Sequence, residues 1–158
     1  MDAAESIVIF ETRTKTMSHK KKKSERVYAF PRKQLRRLVK RAVKKSELSG
    51  REICGLILDN GSLLELLALK NKSQAPGSFE LSWKDFKRAE QAARCLGHQV
   101  VGTFHSHPVS SAVPGPSDIQ SATTGELMLI IGCWEKEAML WRIRKGKAKK
   151  LPFREING

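Results

Sequence analysis

The first strong pattern in the chain is that of an amphipathic helix. Apolar residues recur with the period of a helix at Leu35, Leu38, Val39, Ala42 and Val43. The positions between them are almost all Arg or Lys. Pro31 suits the first turn of a helix, and residues 49–50 (Ser-Gly) suit its end. We therefore predict that the folded domain begins near Val27 and that its first helix has one apolar and one basic face.

Shorter runs with strand character follow this helix. The apolar run 53–58 and the segment 62–69 flank Asp59-Asn60-Gly61, a turn sequence that favours a hairpin. Ser82 and Asp85 form a capping sequence for a second helix, which we expect to extend to about Leu96 before Gly97 ends it.

The second half of the chain again mixes strands with a helix. We expect a strand over 99–104 that runs into His105, a loop over 109–117, and a short helix that begins at Ser117. The continuous apolar run 127–131 is typical of a strand buried on both faces. Further strands are expected at 139–144 and, as a basic edge strand, at 147–153. The interleaved elements predict an α/β fold with mixed α+β layers.

Charge is distributed very unevenly. The chain of 158 residues has 30 Lys and Arg against 16 Asp and Glu, a formal net charge of +14. Residues 1–26, with the run Lys20–Lys23, are expected to be a flexible basic tail that precedes a domain over 27–158. Met17 is an alternative start. The tail and the basic helix would attract nucleic acid or an acidic partner, although an excess of solvated lysines needs no partner.

Other features of the sequence restrict the class of protein. No apolar run approaches the roughly 20 residues of a transmembrane segment, and the N-terminus lacks the pattern of a secretory signal. Cys54, Cys95 and Cys133 are odd in number and widely spaced, which favours reduced thiols in a cytoplasmic protein. We expect Cys95 and Cys133 to lie in the core.

Candidate chemistry is concentrated at His105-Ser106-His107-Pro108. In a strand, the side chains of His105 and His107 point to the same face, and the proline ends the strand. Asp118 begins the next predicted helix, where a loop that folds back could bring its carboxylate to the same ion. Two His and one carboxylate with one open position are typical of a catalytic zinc. Taken alone, Asp118 could equally be an acid that stabilises a helix N-terminus.

A zinc centre of this kind also needs a proton acceptor that is not a ligand. Glu52 is the best candidate, because it begins the apolar strand after the first helix in a chain with few acids. The alternative for Glu52 is an ion pair with Arg51 or with the basic helix.

These segments resemble the JAMM metalloproteases of the JAB/MPN-domain family, in a compact prokaryotic form. The similarity rests on Glu52 with the apolar run after it, on His105-Ser-His107-Pro, and on Asp118, which follows His107 after ten residues as the family motif requires. The resemblance implies a deaminase-like fold with a mixed central sheet flanked by helices. It also implies a Zn²⁺ cofactor and cleavage of peptide or isopeptide bonds, often beside ubiquitin-like or sulfur-carrier proteins.

One position departs from the family motif. Gly115 occupies the place of a serine whose hydroxyl is thought to steady the oxyanion in active members. Ser117 could take that role only if the loop shifts, which the stiffening residues Pro114 and Pro116 oppose. The backbone N–H of Gly115 could donate instead, and Ser106 could support the ligands from the opposite face. Two hypotheses therefore remain: a zinc-dependent hydrolase of amide bonds, and a weak or inactive JAB/MPN module that serves as a binding protein.

Overall fold

The computed structural model describes residues 26–158, so the predicted tail and Lys20–Lys23 lie outside the described residues. In this part of the chain the elements are, in order, β1 (Tyr28–Pro31), α1 (Arg32–Ser49), β2 (Cys54–Asp59), β3 (Leu64–Leu69), α2 (Trp83–Cys95), β4 (Gln99–His107), α3 (Pro116–Ser121), β5 (Leu127–Gly132), β6 (Glu137–Arg144), β7 (Lys147–Leu151) and β8 (Phe153–Ile156). No helix among them is both long and apolar enough to cross a membrane.

The central feature is a six-stranded mixed sheet in the order β3-β2-β4-β5-β6-β7. β4 and β5 are parallel, and the other neighbouring pairs are antiparallel. Alternate residues of β2 point to opposite faces, so Ile57 packs in the cluster that contains α1 and Leu56 in the cluster that contains α2. The predicted α/β layer architecture, with a mixed sheet flanked by helices, is confirmed.

Both long helices begin and end largely as their sequences indicate. The N–H of Gly50, in a left-handed conformation with φ of 64°, donates to the carbonyl of Ser46 and ends α1. Ser82 caps α2, since its Oγ accepts a hydrogen bond of 3.3 Å from the N–H of Asp85. Pro31, expected in the first helical turn, instead ends β1 and precedes the first helical residue.

A two-stranded parallel sheet was not foreseen. β1 pairs with β8, with Tyr28 opposite Phe153 and Pro31 opposite Ile156. The basic edge strand expected over 147–153 is confirmed as β7 at the edge of the main sheet, but it ends at Leu151, and Phe153 belongs to β8. The chain leaves the main sheet at Pro152, which lacks the N–H that a continuing ladder requires.

The three cysteines are free thiols. Cys133 is buried as expected, whereas Cys95 is exposed. The expectation for Cys95 was wrong because its position, the last residue of α2, leaves the side chain in solvent.

Candidate metal centre

Three side chains converge at the end of β4. The Nε2 atoms of His105 and His107 are 3.0 Å apart. The two carboxylate oxygens of Asp118 divide between them, with Oδ1 at 3.1 Å from Nε2 of His105 and Oδ2 at 3.2 Å from Nε2 of His107. One potential ligand atom from each of the three residues lies within 4.8 Å of the others. The arrangement is that of a three-ligand cation site.

The backbone explains why these side chains meet. His105 and His107 are two residues apart in β4, a strand held between β2 and β5. Asp118 approaches from α3, whose first turn it occupies, and its Oδ2 accepts a hydrogen bond of 2.8 Å from the N–H of Gly115. The carboxylate therefore both caps the short helix and faces the two imidazoles.

Neighbouring groups fix the orientation of both imidazoles. Nδ1 of His107 lies 2.7 Å from the carbonyl oxygen of Ser111, a contact that requires a proton on Nδ1. The lone pair of the neutral ring is then on Nε2, which faces the cluster. The ring of Phe79 stacks on His105, with centroids 4.7 Å apart and planes inclined by 21°.

The surroundings of Asp118 favour its ionised carboxylate, which faces a protonated imidazole nitrogen or a cation. Burial alone raises the pKa of Asp118, but the hydrogen bonds to His105 and His107 outweigh it and hold this pKa below its ordinary value. Burial lowers the pKa of His105. For His107, burial also acts to lower the pKa, but the contacts with Asp118 and Ser111 reverse the direction and raise it.

Glu52 supplies a separate carboxylate close to this cluster. It lies two residues before β2 rather than in it, and only 5% of its surface is exposed. Its Oε2 has no hydrogen-bond partner in the described part of the chain. Burial is the main cause that raises the pKa of Glu52 to about 7, with His107 acting to lower it and Asp118 to raise it. A carboxylate with such a pKa can exchange protons near neutral pH.

A cleft of about 590 Å³ opens beside these groups. Its polar lining includes Glu52, Asp118 and Ser117, and part of its wall is formed by the apolar side chains of Phe79 and Met128. Ser117 therefore shares a cleft with the two carboxylates. The cleft offers room for an extended peptide segment rather than for a folded domain.

The other two residues named from sequence have defined structural contacts. The Oγ of Ser106 accepts a hydrogen bond of 2.8 Å from the N–H of Ile53, next to Glu52, and Ser106 N–H donates to the carbonyl of Ile53. Ser106 thus ties the segment that carries Glu52 to the strand that carries the histidines. The N–H of Gly115 is already engaged by Asp118.

Sequence reasoning missed two residues of the site. The side chain of Asn71 donates to the carbonyls of Glu52 (3.1 Å) and Ser78 (3.0 Å), and its Oδ1 accepts from two N–H groups of the same loop, those of Ser73 and Glu80. This loop also carries Phe79. An Asn shortly after a strand is a turn signal, but nothing in the local sequence links Asn71 to Glu52 or Phe79 to His105.

The residues present fit a zinc ion. Two imidazole nitrogens and a carboxylate are a donor set that zinc accepts, and three protein ligands leave one coordination position for water or substrate. The Nε2 atoms of both histidines and the carboxylate of Asp118 face one small volume, where a cation would be within reach of all three. The unpartnered Oε2 of buried Glu52 is a further group that a bound molecule can satisfy.

Comparisons with known proteins bear on the family and on the fold. A family profile described as prokaryotic homologs of the JAB domain matches residues 31–144, well over half of the chain. The chain is 25% identical over 91 residues to a desampylase of Pyrococcus furiosus, a match that covers 57% of this chain and 65% of that relative. The match thus spans less than two thirds of the relative's length.

Solved structures share the fold at lower identity. A protein of Desulfitobacterium hafniense, known from a solution structure, superposes with a TM-score of 0.71 at 23% identity and covers 84% of this chain and 94% of its own. A JAB1/MPN domain protein of Archaeoglobus fulgidus superposes with a TM-score of 0.52 at 19% identity and covers 82% and 100% of the two chains. These likenesses establish the mixed sheet flanked by helices as a known architecture.

Proposed function

The chain belongs to the prokaryotic homologs of the JAB domain, and from this membership and the geometry of its site we propose that it is a zinc-dependent hydrolase of amide bonds. His105, His107 and Asp118 would hold the metal. The observation that carries the proposal is the convergence of these three side chains beside the buried carboxylate of Glu52, which takes no part in the cluster itself.

Each group of the site has a separate role in the proposed reaction. Bound zinc would act as a Lewis acid and lower the pKa of water to about 7. Glu52 accepts the proton of the attacking water and returns it to the leaving amine, a role suited to a carboxylate with a pKa of about 7. Asp118 and the carbonyl of Ser111 keep His107 in one orientation. The stacked ring of Phe79 shields His105 from water.

A peptide or isopeptide bond in an extended segment is the proposed substrate. The cleft beside Glu52 has a volume of about 590 Å³, which admits a narrow tail and excludes a folded domain. The curated relative is named a desampylase, which supports a bond at the tail of a ubiquitin-like or sulfur-carrier protein as the target. We place this activity in the cytoplasm, a compartment suited to the three free cysteines.

The direct test is hydrolysis of ubiquitin-like conjugates and linear fusions by purified protein. We expect turnover that depends on added zinc, is abolished by a chelator, and falls by about 10³ or more in Glu52→Ala while zinc content is retained. Equal rates for Glu52→Ala and wild type across such a panel would contradict the proposal.

A second candidate is a JAB/MPN module that binds its target without cutting it. Gly115 supports this alternative, because it brings no hydroxyl to the place of the motif serine and its N–H is bonded to Asp118. The binding module predicts zinc content equal to that of the hydrolase and a stable complex with conjugate. It predicts no Glu52-dependent turnover, and activity only after Gly115→Ser.

A further inference from the structure

An elongated cleft lies on the face of the sheet that α1 covers. Its volume is about 1060 Å³, and its floor is formed by the apolar side chains of Leu35, Val39, Val43, Ala138, Leu151 and Phe153. The candidate metal site lies on the other face of the sheet, because His105 is directly opposite Cys54, which packs with α2. The cleft is therefore a separate feature from the candidate active site.

The shape of this cleft favours a chain segment over a compact molecule. It extends along α1 from Leu35 to Glu47, which corresponds to about 18 Å of helix at 1.5 Å per residue. Its volume is slightly above the range of roughly 300–1,000 Å³ that is typical of pockets for small molecules. Val39, Val43 and Phe153 are half-buried and continue the main core outward.

Positive charge surrounds the apolar floor. The rim has cationic side chains at Arg36, Lys40, Lys44, Lys136 and Lys150. The five cations outnumber three carboxylates on the same lining, those of Glu47, Glu137 and Glu155. The carboxylate of Glu155 is paired with Arg32 at 3.3 Å and lies 3.8 Å from Arg36. Among the described residues, Lys40 and Lys44 form no ion pair. The fold thus brings the basic helix and the basic C-terminal strands together around one apolar surface.

We propose that this cleft, defined by α1 residues 35–47 and the facing residues 136–155, binds a segment of a partner protein that combines acidic and apolar side chains. The apolar floor accepts the partner's hydrophobic residues, and the lysines of the rim pair with its carboxylates. Nucleic acid would contact the cationic rim but not most of the apolar floor, because Phe153 is the only aromatic residue of the floor on which a base could stack. The binding requires neither the metal ligands nor Glu52.

The probe is a fluorescent synthetic peptide of about 12 residues, the helix length that matches the cleft, with Leu at helical spacing and Glu elsewhere. Binding to the full chain is followed by fluorescence anisotropy. We expect saturable binding that Lys40→Glu combined with Lys44→Glu weakens by about tenfold or more. The matched control is Lys33→Glu with Lys45→Glu, the same change of charge on α1 outside the cleft, which should weaken binding by no more than about twofold.

A second variant tests the apolar floor. Val43→Thr keeps the size of the side chain and adds a hydroxyl, so it should weaken peptide binding by about threefold to tenfold without unfolding the domain, as far-UV circular dichroism verifies.

Three results would overturn the proposal. If both double Lys→Glu variants weakened peptide binding equally, the peptide would be attracted by the overall positive charge rather than bound at this cleft. Duplex DNA that binds more tightly than the peptide, and is insensitive to Val43→Thr, would assign the surface to nucleic acid. A full-length Ile9→Asp variant that binds the peptide about tenfold more tightly than wild type would assign the cleft to the chain's own first residues, where Asp2, Glu5 and Glu11 surround an apolar run.

Discussion

The side-chain amide of Asn71 donates a hydrogen bond of 3.1 Å to the backbone carbonyl of Glu52. The same amide bonds the loop that carries Phe79, whose ring stacks on the candidate ligand His105. One half-buried Asn therefore connects the proposed proton acceptor to the wall of the candidate metal site. The proposed catalytic geometry thus depends on a residue that touches no reacting atom.

Asn71→Ala should lower activity by about tenfold or more while zinc content remains that of wild type. The reason is that one hydrogen bond to Glu52 and three within the loop that carries Phe79 are lost, each worth about 1 kcal/mol. Steady-state kinetics and metal analysis on the same preparations measure both quantities.

The matched control for this prediction is Asn60→Ala. Asn60 also accepts bonds from backbone N–H groups, those of Ser62 and Leu63, but it lies in the turn between β2 and β3, away from the site. Its loss should leave kcat within about twofold of wild type. Equal losses in both variants would show only a general effect of loop stability.

Burial of Glu52 predicts a pH-dependent cost of stability in chelator-treated protein. Its pKa rises from 4.5 to about 7, so the folded state holds the proton more tightly than the unfolded chain. The contribution of this tighter proton binding to the free energy of unfolding is therefore fully present below pH 4.5 and is lost as pH rises to 7. Glu52→Gln should therefore match wild type near pH 4 and exceed its unfolding free energy by on the order of 3 kcal/mol at pH 8.

Chemical denaturation at the two pH values measures this difference. Glu47→Gln, at an exposed carboxylate on α1, controls for the removal of one negative charge from a basic protein. A Glu52→Gln variant that is less stable than wild type at pH 8 would contradict the assignment of Glu52 as a buried carboxylate whose charge lowers stability.

Gly115→Ser should raise the rate of amide hydrolysis by up to about 10², since the hydroxyl stands where the family motif has its serine. The position admits the side chain: a Cβ there would lie 3.6 Å from Oδ2 of Asp118, an ordinary contact, and φ is −81°. Gly115→Ala adds the same Cβ without a donor. If the Ser and Ala variants have the same kcat as wild type, another group steadies the oxyanion here.

Ser106→Ala should destabilise the fold by about 1 to 3 kcal/mol. Ser106 is fully buried, and without its Oγ the buried N–H of Ile53 loses its acceptor. Urea unfolding with an unchanged m-value would show the loss. Ser121→Ala, which removes an exposed hydroxyl bonded to the carbonyl of Asp118, should change stability by less than about 0.5 kcal/mol; an equal effect would refute the role given to Ser106.

Local signals in the sequence account for most of the main sheet and for the proximity of the two histidines. The spacing of His105 and His107 in a strand and the proline after them dictate a shared face at a strand end. Asp118 could be connected to them only through the family motif, because its approach depends on how the loop 109–115 folds. The geometry of the cluster is consistent with that reading.

Long-range contacts could not be predicted from the sequence. The parallel pairing of β1 with β8 joins residues more than a hundred positions apart, and four-residue strands carry almost no periodic signal. The contact between Asn71 and Glu52 likewise arises from tertiary packing of a loop. The same holds for the cleft beside α1, whose basic residues were visible but whose apolar floor needed the facing strands.

The most direct test of the candidate metal centre is to measure the zinc content of purified full-length protein by inductively coupled plasma mass spectrometry. We expect one zinc per chain in wild type and in His98→Ala, whose imidazole lies near Glu65 away from the site. We expect less than about a tenth of that content in His107→Ala and in Asp118→Ala. A wild-type protein without zinc, or full zinc content in both ligand variants, would show that these residues do not form a zinc site.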